Sequence, residues 1–274
     1  MKKIGLGILI TLIVLTISGV ATAMIRLPAA DQAKEKADKS PIVEINGDNL
    51  MLTPPGLEKI IYIHYKKDFA KPPWAGRGKG NKEAKCYGFL AKGAIWKDLS
   101  LDYVIDIDNL DGLSKNLVVS AISAGAEEWD FWTESELFDN TYEIVHDGTW
   151  DNDFPDYRNE LLFEDYPDSN VIAVTVIWGY FSGPPSSREI IEFDVLFNTD
   201  FVWGNATGLT IDSEIMDLEN IAVHEIGHGV GLADMYDTTC DEVTMYGYSG
   251  YGDIEKRTLA PADIIGIQTL YGRL

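Results

Sequence analysis

The residues best spaced for chemistry are His224-Glu225-Ile226-Gly227-His228. On a helix, positions i and i+4 lie one turn apart, so two imidazole nitrogens can converge on one metal ion at roughly 2.0–2.1 Å each. Glu225 then stands beside the ion without ligating it, placed to take the proton of a metal-bound water as that water attacks a carbonyl. The chain holds four histidines, His64, His146, His224 and His228, and two of them fall at this spacing inside a helical pattern. Coincidence is a poor explanation of that. After His228 the run Gly229-Val230-Gly231-Leu232-Ala233-Asp234 places a glycine three residues on. A left-handed turn there ends the helix and folds the chain back toward the metal.

The helix that must carry these groups spans 217–230, with Asp217 as its N-cap. Leu218, Ala222, Ile226 and Gly229 form one face, so the helix can pack on a sheet with that side and present His224 and His228 with another. A backing helix follows Ser114, with Val118, Ile122, Gly125, Trp129 and Trp132 at helical spacing, and a C-terminal helix spans 261–270 behind Pro261. Strand signals fall at 101–107, 141–146, 160–163, 171–178 and 190–197. The expected fold class is therefore α+β, a twisted mixed five-stranded sheet with an active-site helix, a backing helix and a C-terminal helix.

Three regions follow from composition. Lys2 and Lys3 precede an uncharged apolar run from Ile4 to Ile25, and Ala21-Thr22-Ala23 offers a cleavage site. Residues 1–23 read as a signal peptide, or as an N-terminal membrane anchor if uncleaved, and either reading exports the rest. Residues 24–85 read as a pro-region and basic linker; Glu58 to Tyr65 is an isolated strand-like piece, and 66–85 combines two prolines, three glycines and seven Lys/Arg. Residues 86–274 make the folded domain. They hold 8 Lys+Arg against 36 Asp+Glu, a difference of −28, whereas residues 1–85 carry 14 against 8. So acidic a surface repels nucleic acid and anionic lipid, which leaves the N-terminal segment as the only membrane attachment. Solvated charge or calcium-binding loops both account for it. The two cysteines, Cys86 and Cys240, are expected as one disulfide in an oxidising compartment, the alternative being Cys86 as a thiolate capping the metal.

The stretch from His224 to Asp234 resembles the metzincin pattern H-E-x-x-H-x-x-G-x-x-H, with Gly231 in the glycine position and Asp234 where a third histidine normally stands. No histidine follows His228, so an oxygen donor must complete the set: Asp234 by register, with Asp237 and Tyr236 as weaker candidates. Two imidazoles and a carboxylate remain a competent catalytic zinc set. Val243-Thr244-Met245-Tyr246-Gly247 looks like the Met-turn that floors the zinc in this clan, and Tyr246 or Tyr248 is a candidate for stabilising the transition state. Trp96, Asn159 to Phe163, Trp203 after Asn198, and Leu259 to Gly272 match the order of the matrixin-like branch.

That resemblance implies a zincin-like α/β arrangement holding one catalytic Zn2+, and a secreted or surface-tethered endopeptidase acting on protein or peptide substrates with Glu225 as general base. It also implies that the strand at 171–178 is a sheet edge along which an extended substrate lies. A structural second zinc has only His146 to help hold it, while Ca2+ has the acidic loop at 147–156. Two other readings stay open: an inactive binding or adhesion module of the same fold, and a zinc hydrolase of non-peptide amides.

Overall fold

The computed structural model describes residues 42–44, 54–67 and 85–273. The leader and most of the basic linker lie outside the described residues, and no described helix is long and apolar enough to cross a membrane. In chain order the strands are β1 (Ile42–Glu44), β2 (Glu58–Lys66), β3 (Gly88–Phe89), β4 (Val104–Asp106), β5 (Glu143–Val145), β6 (Glu160–Glu164), β7 (Val171–Tyr180), β8 (Glu189–Asn198), β9 (Val202–Gly204), β10 (Ile215–Asp217), β11 (Leu232–Ala233) and β12 (Tyr248–Ser249). The helices are α1 (Lys115–Asp130), α2 (Leu218–Gly229) and α3 (Pro261–Tyr271).

The main sheet has eight strands in the order β1-β2-β7-β8-β6-β4-β5, with β12 pairing on β2. Strands β5, β4, β6 and β8 are parallel, and β7 joins β8 antiparallel. β7 reads as one continuous apolar run because both of its faces are covered. On one face Ala173 and Ile177 join Phe193, Val195 and Phe197 in the core beneath the helices. On the other, Val174, Val176 and Trp178 pack with Leu196 under Trp150 and Tyr166.

Helix α1 starts at Ser114, whose side chain accepts from Leu117 N, and α2 starts at Asp217, which accepts from Asn220 N. The two helices cross at Gly125, where a Cβ would lie 3.0 Å from Ile226 and 3.2 Å from the Val223 backbone nitrogen. Trp129 fixes that crossing by donating from Nε1 to the Val223 carbonyl at 2.8 Å. The close approach of Gly229 to the Phe193 ring seats α2 on the sheet.

β4 to β8 are the five strands that periodicity predicts, but the sheet does not stop there. Glu58 to Tyr65, read above as an isolated piece ahead of a domain boundary, lie in β2, which pairs antiparallel with β7 from Glu58 opposite Gly179 to Tyr65 opposite Val171. The physical reason lies in its pattern. Ile60, Tyr62 and His64 are buried on the helix side, while Ile61 and Ile63 pack on the opposite cluster. A strand apolar on both faces is satisfied only inside a sheet that is covered on both sides. β7 is therefore not a free edge, which corrects the expectation drawn from the resemblance.

Candidate metal centre

Helix α2 delivers His224, Glu225 and His228 from a wholly buried turn; each is 0–1 % exposed. The helix ends at Gly229, and Gly231 takes φ +100°, a conformation that a side chain would strain. That bend brings β11 and then Asp234 back across the helix end. Asp234 Oδ1 lies 3.3 Å from His224 Nε2 and 3.4 Å from His228 Nε2. Three ligands at roughly 2.0–2.1 Å from one tetrahedral ion stand about 3.3–3.4 Å apart.

The outer hydrogen bonds aim these donors. His224 Nδ1 donates to the Thr244 carbonyl at 2.7 Å and His228 Nδ1 to the Leu232 carbonyl at 3.0 Å, which leaves both Nε2 lone pairs facing Asp234. Tyr236 donates from its hydroxyl to Asp234 Oδ2 at 2.7 Å and so turns Oδ1 inward. His224 Nε2 and Asp234 Oδ1 are buried with no hydrogen-bond partner among the described residues. Buried polar atoms are seldom left so, and a shared cation satisfies both. Burial works against ionising Asp234, yet His228 and His224 outweigh it and hold the carboxyl well below its usual range. Burial brings His224 down to about 3, so it is a neutral imidazole. The donor set thus fits zinc.

Glu225, next to the first histidine on the helix, lies in a second buried cluster with His64 and His224. Its Oε2 accepts from Thr175 of β7 at 2.6 Å, and its Oε1 lies 2.8 Å from His64 Nδ1 of β2. Burial pushes this carboxyl up to about 7, against the pull of His228. Lys256, also buried and brought down by burial to about 7, places Nζ 3.3 Å from His64 Nε2 and donates to the Tyr246 carbonyl.

Met245 is 1 % exposed and lies against Gly227, where a Cβ would come within 2.4 Å of its sulfur, on the helix turn that carries the histidines. Asp263 of α3 holds this turn by accepting from Thr244 N at 2.8 Å and Met245 N at 3.3 Å. Tyr246 and Tyr248 pack with Val243 and Cys240, and the Tyr248 hydroxyl is buried with no hydrogen-bond partner among the described residues. Asp237 caps the short helix at Thr238–Cys240, accepting from Thr239 N, and is not in the cluster formed by His224, His228 and Asp234. Cys86 and Cys240 form the expected disulfide, so no thiolate caps the site. His146 is exposed and pairs with Asp108 at 2.7 Å.

Sequence reasoning missed His64, Thr175, Lys256 and Asp263. Only Asp263 carried a local signal, as an acidic residue in the first turn after Pro261.

The family model described as matrixin matches residues 96–272. Among curated proteins, matrix metalloproteinase-25 of Mus musculus is 27 % identical over 188 residues, covering 68 % of this chain and 28 % of that protein. Matrilysin of Felis catus is 36 % identical over 80 residues, covering 29 % of this chain and 28 % of its own length. The chain thus spans little more than a quarter of the length of these relatives.

Proposed function

The chain belongs to the matrixin family, and from that premise we propose that it is an exported zinc-dependent endopeptidase, with His224, His228 and Asp234 as the metal ligands and Glu225 as the general base. The observation that carries this reading is the convergence of two Nε2 atoms on one carboxylate oxygen, 3.3 and 3.4 Å away, each group aimed by a further hydrogen bond.

Zinc at this set supplies a Lewis acid that polarises a scissile carbonyl and acidifies water. The rest of the chemistry belongs to the chain. Glu225 accepts the proton of the attacking water and passes it to the leaving amine, so no covalent intermediate is needed. Thr175 holds Oε2 of that carboxylate, and His64 faces Oε1. Asp234 in place of a third histidine would add negative charge to the ligand set, so a metal held there would be a weaker Lewis acid than one held by three imidazoles. Met245 and Asp263 keep the floor rigid.

Export is supported by the apolar leader and by the Cys86–Cys240 disulfide, which persists in oxidising compartments. Calcium is proposed at Asp151, Asp156 and Glu192, whose ligand atoms lie within 4.8 Å of one another. That span suits a cation with oxygen ligands at roughly 2.3–2.6 Å. Asp151 Oδ2 and Glu192 Oε1 are buried with no hydrogen-bond partner among the described residues, and burial with Asp194 alongside pushes Glu192 up to about 9. A cation there balances charge that is otherwise costly to bury.

The test is metal content with turnover on a denatured protein substrate. One zinc per chain, lost in His228→Ala, and cleavage abolished by a chelator and by Glu225→Ala are expected. A Glu225→Ala protein that still cleaves would remove the base from the reading.

A further inference from the structure

Lys256, on the short helix at Glu255–Arg257, is only 8 % exposed and its side chain ends against the metal centre. Its Nζ donates to the Tyr246 carbonyl and lies 3.3 Å from His64 Nε2 and 3.5 Å from His224 Nδ1. His224 Nδ1 is itself a donor, to the Thr244 carbonyl. Among the described residues, then, only the Tyr246 carbonyl and His64 Nε2 accept from the three protons of this ammonium. Glu225, Asp234, Asp253 and Asp263 act on it from farther off, and among the described residues none forms an ion pair with it. Asn220 stands one turn before His224 on α2 and accepts from Lys256 N through Oδ1 at 2.8 Å. It is 1 % exposed, and its Nδ2 is buried with no hydrogen-bond partner among the described residues. Two buried donor groups, joined by one hydrogen bond, thus lie next to the first histidine ligand and are short of acceptors.

The side chain at 64 shows what occupies the space beside them. Its ring accepts from Lys256 through Nε2 and donates to Glu225 Oε1 through Nδ1, so a group there meets a cation on one side and the proposed base on the other. We infer that Lys256, supported by Asn220, is a specificity-determining residue: a peptide lying along β7 is preferred when its side chain beside Glu225 is acidic, Asp or Glu, and pairs with Nζ. The inference rests on the proposed peptidase reading and adds a substrate class to it. A neutral acceptor satisfies one proton of the ammonium and brings no charge; an apolar side chain satisfies none. Hydrogen bonds between charged groups are roughly twice as strong as neutral ones, which ranks the side chains acidic, neutral acceptor, apolar. An acidic side chain also meets the like charge of Glu225, and that repulsion sets the sign of the test. Once the ammonium is removed, the acidic side chain becomes the worst of the three.

Position 64 of the intact chain is the probe, because its side chain already lies in this space. Zinc-loaded His64→Glu is expected to melt above His64→Leu, and in the Lys256→Met background the order is expected to reverse. An order that Lys256→Met leaves unchanged, or Leu at or above Glu with Lys256 present, overturns the inference. If Lys256→Met does not fold, the comparison of Glu with Leu beside an intact Lys256 decides alone. Turnover gives a second readout. Among peptides that differ only next to the cleaved bond, one position is expected to favour Glu over Leu by roughly ten-fold or more in kcat/KM, and Lys256→Met to erase that preference. Cleavage at equal rates would overturn the inference and leave the peptidase reading intact. A chain that passes the test at position 64 and cleaves no peptide would sink the peptidase reading and leave Lys256 as the selector of acidic side chains.

Discussion

Removing the phenol oxygen of Tyr236 while keeping its ring separates the aiming of the metal site from its folding. In the structure that oxygen donates to Asp234 Oδ2 at 2.7 Å, and its proton is secure, because burial and the nearby Asp234 hold the phenol well above its ordinary range. The ring itself packs against Gly247 and Tyr248 and survives in Tyr236→Phe. A hydrogen bond to a charged group contributes about 1.5–3 kcal/mol. Residues that orient a metal ligand typically change metal affinity by about 10–100-fold, which is about 1.4–2.7 kcal/mol. The two ranges overlap, so Tyr236→Phe should weaken zinc by about one to two decades. Competition against a chromophoric chelator measures this. The melting temperature in excess chelator should fall only by what that one hydrogen bond contributes, with unfolding still a single cooperative transition, since the ring packing is kept. A zinc affinity within two-fold of wild type would refute the reasoning that Tyr236 fixes Asp234.

The remaining predictions concern the same centre and the acidic loop. Glu225→Ala is expected to keep its zinc and lose about 10²–10⁴ in kcat, the usual contribution of a positioned base, measured by metal analysis beside a cleavage assay. Asp234→Ala should lower zinc occupancy sharply while Asp237→Ala leaves it unchanged, because Asp237 is committed to Thr239; equal occupancy in the two variants ends the assignment of the third ligand. Millimolar calcium should raise the melting temperature of the chelator-treated protein, and Glu192→Gln should abolish that rise; a calcium response preserved in the variant removes Glu192 from the site.

What could be read from the chain follows sequence distance. His224, Glu225 and His228 are legible because i and i+4 on one helix already fix their geometry, and Asp234 follows because one glycine turn sets its return. β4 to β8 carry their own alternation or continuous apolar runs. β2 carries it too, yet the basic, glycine- and proline-containing stretch after it has the composition of a boundary. Its partner β7 lies more than a hundred residues along the chain, and nothing local announces that pairing. His64, Thr175 and Lys256 were invisible for the same reason: each reaches the site from a different element, and an isolated histidine, threonine or lysine has no spacing to betray it. β12, two residues long, is below any periodic signal.

X-ray absorption at the zinc edge of the purified full chain tests the central claim most directly. Two imidazole nitrogens and at least one carboxylate oxygen at about 2.0–2.2 Å are the predicted shell, with the carboxylate contribution lost in Asp234→Ala. A shell of three imidazoles, which would have to recruit His64, or a protein that holds no zinc at all, contradicts it.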